Sequence, residues 1–207
     1  MIFNILRILV RTYVQIFYRV RVEGLENFPA SGALVLCANH TFVKDLIFIG
    51  SFVPRKIHWM AKIELFRIPV FGALIKSLGA FPINRGANDR ESIRNVYKVL
   101  NSGAPIGIFP EGTRELDPNN RPPYKRGFVS FAANAGAAIL PVALDYKEGP
   151  FGRGRLFSRT VVSFGELIHL EKGRKYDRGE IEELAASIMS WINNKICTDH
   201  GASQITD

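Results

Sequence analysis

Ala33-Leu34-Val35-Leu36-Cys37-Ala38-Asn39-His40-Thr41-Phe42-Val43-Lys44-Asp45 joins an apolar run to a polar turn. The first six residues read as a buried strand, because a short apolar run bounded by turn residues fits a strand covered on both faces. The turn lies at the strand's carboxyl end, where open α/β sheets hold their ligand chemistry. His40 and Asp45 stand five residues apart in it. An imidazole titrating near neutral pH can take a proton from a hydroxyl. A nearby carboxylate can fix its tautomer and stabilise the imidazolium. Cys37 falls inside the strand and reads as a small buried apolar residue. The pair therefore points to a base that activates a hydroxyl of the substrate itself. Taken alone, the spacing also fits a structural histidine with Asp45 as a helix cap.

Outward from this segment, strands and helices alternate. Asp45–Phe52 reads as a helix stopped before Pro54, and Ile57–Met60 as a short strand. Ile63–Leu78 is apolar and basic, and Pro69 and Gly72 must kink or split it. Gly79–Arg85 reads as a strand, and Asn88 with Glu91 resembles a capping box before a helix. Pro105–Phe109 is a buried strand, Arg114–Lys125 a proline-bearing loop and Arg126–Ala135 a helix of small residues. Strands at Ala138–Leu144 and Thr160–Phe164 flank a Gly/Arg-rich loop, and a last amphipathic helix carries Ile181, Leu184, Ile188 and Ile192. The alternation predicts one α/β domain, a mixed, mostly parallel central sheet flanked by helices.

The 207-residue length suits one domain, and 47% hydrophobic content suits a packed core. The net charge of +8 calls for an anionic partner. Nucleic acid is set aside, because no zinc-finger spacing, ribonucleoprotein motif or purely basic helix is present. Cys37 and Cys197 make no disulfide framework and fit a reducing compartment. His58, His169 and His200 form no metal-ligand spacing with His40, so no metal is expected. At the N-terminus, wound as a helix, Asn4, Arg7, Arg11, Gln15 and Arg19 share a narrow face, and apolar side chains fill the rest. This predicts an amphipathic membrane-associating helix over 1–22, with its arginines toward lipid phosphates, followed by a domain over 23–207. Glu23–Gly32 reads as a linker between them.

The other chemistry-bearing stretch is Phe109-Pro110-Glu111-Gly112-Thr113-Arg114. Its glycine admits close backbone approach and its arginine offers a fork for phosphate. The acid can fix that arginine or the substrate. With Asn39-His40 and Asp45, Gly79-Ala80-Phe81-Pro82-Ile83-Asn84-Arg85 and Ile139-Leu140-Pro141-Val142-Ala143, it completes four blocks whose order and spacing resemble the glycerolipid acyltransferase family. Lys62-Ile63-Glu64-Leu65-Phe66 matches the segment between the first two. The resemblance is closest to the members that acylate 1-acylglycerol 3-phosphate, and it covers residues 20 to 165. The second block carries Asn84 where the family pattern has an acid, so only Arg85 is matched there.

The resemblance implies His40 and Asp45 as the catalytic pair. It implies Lys62, Arg85, Glu111, Gly112, Thr113 and Arg114 as ligands of the glycerol phosphate. Acyl transfer would run from a thioester, of coenzyme A or of acyl carrier protein, to the free hydroxyl of lysophosphatidate, without a cofactor. Glycerol 3-phosphate or another lysolipid are the alternative acceptors. A non-catalytic module binding anionic lipid is the alternative of another class. The expected location is peripheral or monotopic, on the cytoplasmic face of a membrane.

Overall fold

The Ala33–Ala38 run forms the middle of a seven-stranded sheet. The computed structural model describes residues 2–77, 79–83, 90–117 and 120–197. Its first half comprises α1 (Ile2–Tyr18), β1 (Val20–Glu23), a 3₁₀ turn (Leu25–Asn27), β2 (Leu34–Ala38), α2 (Asp45–Phe52), β3 (His58–Lys62), α3 (Ile63–Phe66) and α4 (Phe71–Ser77). β4 (Phe81–Ile83), α5 (Arg90–Asn101), β5 (Pro105–Ile108), α6 (Gly127–Ala135), β6 (Ala138–Tyr146), β7 (Thr160–Phe164) and α7 (Arg178–Cys197) follow. The strand order is β1-β7-β6-β2-β5-β3-β4. All neighbours are parallel except the antiparallel pair β6–β7.

Side-chain alternation along β2 divides the core. Leu34, Leu36 and Ala38 pack into one layer with Val14 of α1 and Phe48, Ile49 and Phe52 of α2. Val35 and Cys37 pack into the other, with residues of α5, α6 and α7. The period of two along a strand and the covering of both faces explain why the run is apolar throughout. The chain leaves β2 through α2 on one face, and the β5–α6–β6 connection passes on the other. Carboxyl ends of β6, β2, β5, β3 and β4 thus share one edge of the sheet.

The N-terminal segment departs from its sequence-based reading in two ways. First, the helix ends at Tyr18, and Val20–Glu23 pairs with Thr160–Ser163 as an edge strand instead of belonging to a linker or helix. The division at residue 22 therefore cuts a strand of the sheet. Second, two of the arginines, Arg7 and the still exposed Arg11, are engaged with α2. Arg7 Nη1 donates to the Val53 carbonyl, 2.6 Å, at the C-terminal end of α2, and the Arg11 guanidinium lies over the Phe52 ring. Unpaired carbonyls and the negative dipole end of α2 make that a favourable place for a cation. Arg19 follows the helix with φ 43° and is not on its face. The large apolar side chains left outside are Ile8, Leu9, Tyr13 and Ile16, and Arg11, Thr12 and Gln15 are exposed beside them. The stretch that follows Lys62 does divide, into α3 and α4, with Pro69 in the break and Gly72 in the first turn of α4. The Asn88 half of the expected capping box lies outside the described residues.

Gly107 of β5 is fixed by packing. It is paired with Trp59 of β3, and a Cβ at 107 would sit 2.3 Å from the indole ring. We predict that Gly107→Ala costs about 1–3 kcal/mol, the usual price of forcing a core side chain aside. Thermal unfolding measures it. An unchanged midpoint would mean that Trp59 can move away freely.

Candidate active site

Each functional group stands where a strand runs out. The β2–β6 ladder ends at Ala38 and Val142. Beyond it the buried Asn39 side chain takes over, accepting from Leu144 N (2.8 Å) and donating to Leu144 O (3.0 Å). This amide stands in for a further rung and leaves the main chain free to turn out of the sheet. The next residue is His40.

Asp45, at the start of α2, is completely buried. It does not cap its own helix, whose N-cap Lys44 makes no side-chain cap bond. Its carboxylate instead reaches back into the turn. Oδ2 accepts from Thr41 N at 2.7 Å and Phe42 N at 3.0 Å, and from His40 Nδ1 at 2.8 Å. Oδ1 accepts from the Tyr146 hydroxyl. Several donors meeting one carboxylate offset the cost of burying its charge. With Nδ1 held by Asp45, Nε2 is the ring nitrogen available to a substrate. His40 keeps 15% of its side chain exposed.

The imidazole is also held by its faces. It stacks on Phe109, centroids 4.0 Å apart and planes 12° apart, and Phe109 stacks on Trp59 at 5.0 Å. Gly107 makes this possible, since the indole lies across its missing side chain.

Glu111 was expected to contact substrate or Arg114. Its oxygens are instead engaged inside the protein. Arg121 Nε donates to Oε1 at 2.8 Å and Arg121 Nη2 to Oε2 at 2.6 Å, and Oε2 also accepts from His40 N at 3.0 Å. Glu115 N donates to His40 O, tying the same loop to the histidine backbone. Glu111 thus belongs to the frame around His40. Gly112 has φ 66°, a left-handed conformation that suits glycine, and it turns the chain between Glu111 and Arg114. Thr113, Arg114 and Lys62 are exposed, Lys62 at the carboxyl end of β3. Arg85 lies outside the described residues. Among the described residues no cluster of His, Cys, Asp and Glu could hold a metal ion.

The acyltransferase family model matches residues 19–145, from the start of β1 to the penultimate residue of β6. The chain belongs to the acyltransferase family. This acyltransferase is 35% identical over 153 residues to the 1-acyl-sn-glycerol-3-phosphate acyltransferase of Bacillus subtilis, covering 72% of this chain and 74% of that protein. It is 32% identical over 184 residues to the enzyme of the same name from Borreliella burgdorferi, covering 87% of this chain and 72% of the other. In structure it is similar to the 1-acyl-sn-glycerophosphate (LPA) acyltransferase PlsC from Thermotoga maritima. The TM-score is 0.70 at 25% identity, over 95% of this chain and 78% of that one.

Arg121, Trp59 and Tyr146 were not singled out from the sequence. Arg121 sits in a proline-bearing loop with no periodic signal. Tyr146 was findable: it continues the alternation Leu140, Val142, Leu144 onto the α2 face, and a buried tyrosine hydroxyl needs a partner.

The Glu111–Arg121 pair is nearly inaccessible, with side-chain exposures of 0% and 10%. We predict that Arg121→Ala destabilises the fold by about 3 kcal/mol, because it strands a buried carboxylate. Adding Glu111→Gln to that variant should recover part of the loss. Denaturant unfolding of the three proteins tests this, and a change below about 0.5 kcal/mol in Arg121→Ala, no more than an ordinary surface substitution gives, would contradict it.

Proposed function

We propose that this acyltransferase transfers a fatty acyl group from a thioester to the free hydroxyl of lysophosphatidate, giving phosphatidate. The observation that carries the reading is the His40–Asp45 pair, with Nδ1 held by the carboxylate and Nε2 left for a substrate. Nε2 takes the proton of the acceptor hydroxyl as that oxygen bonds to the thioester carbonyl carbon. The tetrahedral oxyanion collapses, the C–S bond breaks, and the departing thiolate takes the proton back from His40. Asp45 stabilises the imidazolium between these steps. No side chain forms a bond to the acyl group.

The acceptor's class is supported by the names of the relatives and by the cations nearby. Arg114, Lys62 and Arg85 are the proposed clamp for the glycerol phosphate, with Gly112 and Thr113 shaping its floor. Clamping the phosphate would fix the hydroxyl beside His40, and such positioning lowers a barrier substantially. The donor is a thioester of coenzyme A or of acyl carrier protein. Replacing His40 by Ala should lower acyl transfer to lysophosphatidate by about 10²–10⁴-fold, the usual contribution of a general base. The assay follows thiol release together with phosphatidate. Near-normal turnover by the folded variant would end the base reading.

We further propose that the protein works as a peripheral protein at a lipid surface. No helix of the described residues is long and apolar enough to cross a membrane. Ile8, Leu9, Tyr13 and Ile16 on α1 are each at least half exposed, and form an uncharged outward arc. Introducing Glu at both Leu9 and Ile16 should abolish co-sedimentation with phospholipid vesicles while leaving the thermal midpoint in place. Undiminished sedimentation would move the contact elsewhere on the surface.

A further inference from the structure

Tyr146 closes β6 beside the site, at the same sheet edge as His40. Its side chain is completely buried. The ring is gripped on several sides: edge-on by Phe42 (4.8 Å, 85°), by Phe48 at 6.0 Å, and by the ammonium of Lys44, 5.6 Å from its centroid. A Cβ at Gly154 would come within 3.0 Å of the ring, so the loop closes tightly on it. The Tyr146 main-chain carbonyl accepts from Arg153 Nε at 2.7 Å. Within the side chain, every atom but one is packing. The exception is the hydroxyl, which donates to Asp45 Oδ1.

That hydrogen bond falls on the carboxylate oxygen that His40 does not use. Oδ2 serves the imidazole, while Oδ1 has Tyr146 and the longer bond from Phe42 N at 3.1 Å. Burial pushes the Tyr146 hydroxyl well above its ordinary pKa, and the Asp45 charge adds to the effect, so the group remains a donor. A carboxylate that shares its charge with a second donor pulls less strongly on a proton held by the first.

We propose that Tyr146 is a positioning residue of the acyl-transfer reaction: its hydroxyl anchors Asp45 Oδ1 and tempers the pull of that carboxylate on the His40 proton. The inference rests on His40 acting as the base. Without the hydroxyl, the Asp45 charge is shared only with the Thr41 and Phe42 amides and more of it falls to the imidazole. His40 then holds its proton to higher pH, and more of the enzyme is in the inactive imidazolium form. Oδ1 also keeps only the longer bond from Phe42 N, and the carboxylate holds the ring less well. The other ionisable groups around the pair stay in place: Tyr18, Lys44 and Arg153 beside Tyr146, and Glu111 with Arg121 behind the His40 amide.

The experiment is a pH profile of kcat/KM for lysophosphatidate, measured on the full chain and on Tyr146→Phe. The acidic limb reports the base in the free enzyme. The variant should shift that limb upward by about half a pH unit or more, as expected when a hydrogen bond to a neighbouring charge is lost. Its kcat should fall about tenfold while KM stays within about twofold, the pattern of a lost contribution to the reacting state. A second protein carries 3-fluorotyrosine at position 146, which keeps the ring and makes the hydroxyl a stronger donor. Its acidic limb should move downward, and this arm decides the matter if Tyr146→Phe folds poorly. A limb that superimposes on the wild type in the folded variant or in the fluorinated protein overturns the proposal, whatever happens to kcat. Failure of the base reading is distinguished by His40→Ala in the same assay. Full turnover there removes the base itself, whereas an inactive His40→Ala with an unmoved Tyr146 limb removes only the role of Tyr146.

Discussion

A carboxylate at zero exposure has to be surrounded by donors, and Asp45 dictates much of the local architecture for that reason. The amides of Thr41 and Phe42 must point at it, which sets the turn after β2. The Tyr146 hydroxyl must reach it, which ties the end of β6 to the start of α2. The imidazole of His40 is the remaining donor, and its orientation follows from the other three. Removing the charge would leave several buried donors without an acceptor, so the group that polarises the histidine also keeps the turn in shape.

The histidine ring is fixed in two independent ways. Hydrogen bonding sets its rotation through Nδ1, and stacking on Phe109, itself backed by Trp59, sets its plane. Its main chain is fastened separately, through Glu111 on the nitrogen and Glu115 on the oxygen. The Glu111–Arg121 pair is therefore part of the scaffold, whereas among the described residues of the expected phosphate site Lys62 and Arg114 are exposed.

Much of this was legible in the residues. The apolar run of β2, the split at Pro69, and the strand–helix alternation follow from period and from backbone rules, and these act locally. The family could be read from four blocks, because their spacing reflects a shared sheet edge. The edge strand Val20–Glu23 was missed, since four residues behind a helix carry too little alternation to separate a strand from a linker. The direction of Arg7 and Arg11 was missed for another reason: helical periodicity defines a face but not what lies against it. Here the C-terminal end of α2 does. Partners such as Arg121 for Glu111 depend on how a loop folds back, and nothing in the local pattern encodes that.

The engagement of Arg7 and Arg11 with α2 alters the thermodynamics of any surface that α1 meets. With Arg7 on a carbonyl of α2 and Arg11 over an aromatic ring, the outward arc of Ile8, Leu9, Tyr13 and Ile16 offers apolar area and almost no charge. Adsorption through that arc would carry a negative heat-capacity change and would survive salt that screens ion pairs at distances beyond about 8–10 Å. Excluded salts such as sulfate would strengthen it. The excess of positive charge on this chain would then act at longer range, in drawing the protein toward an anionic surface, while the grip itself stayed indifferent to ionic strength.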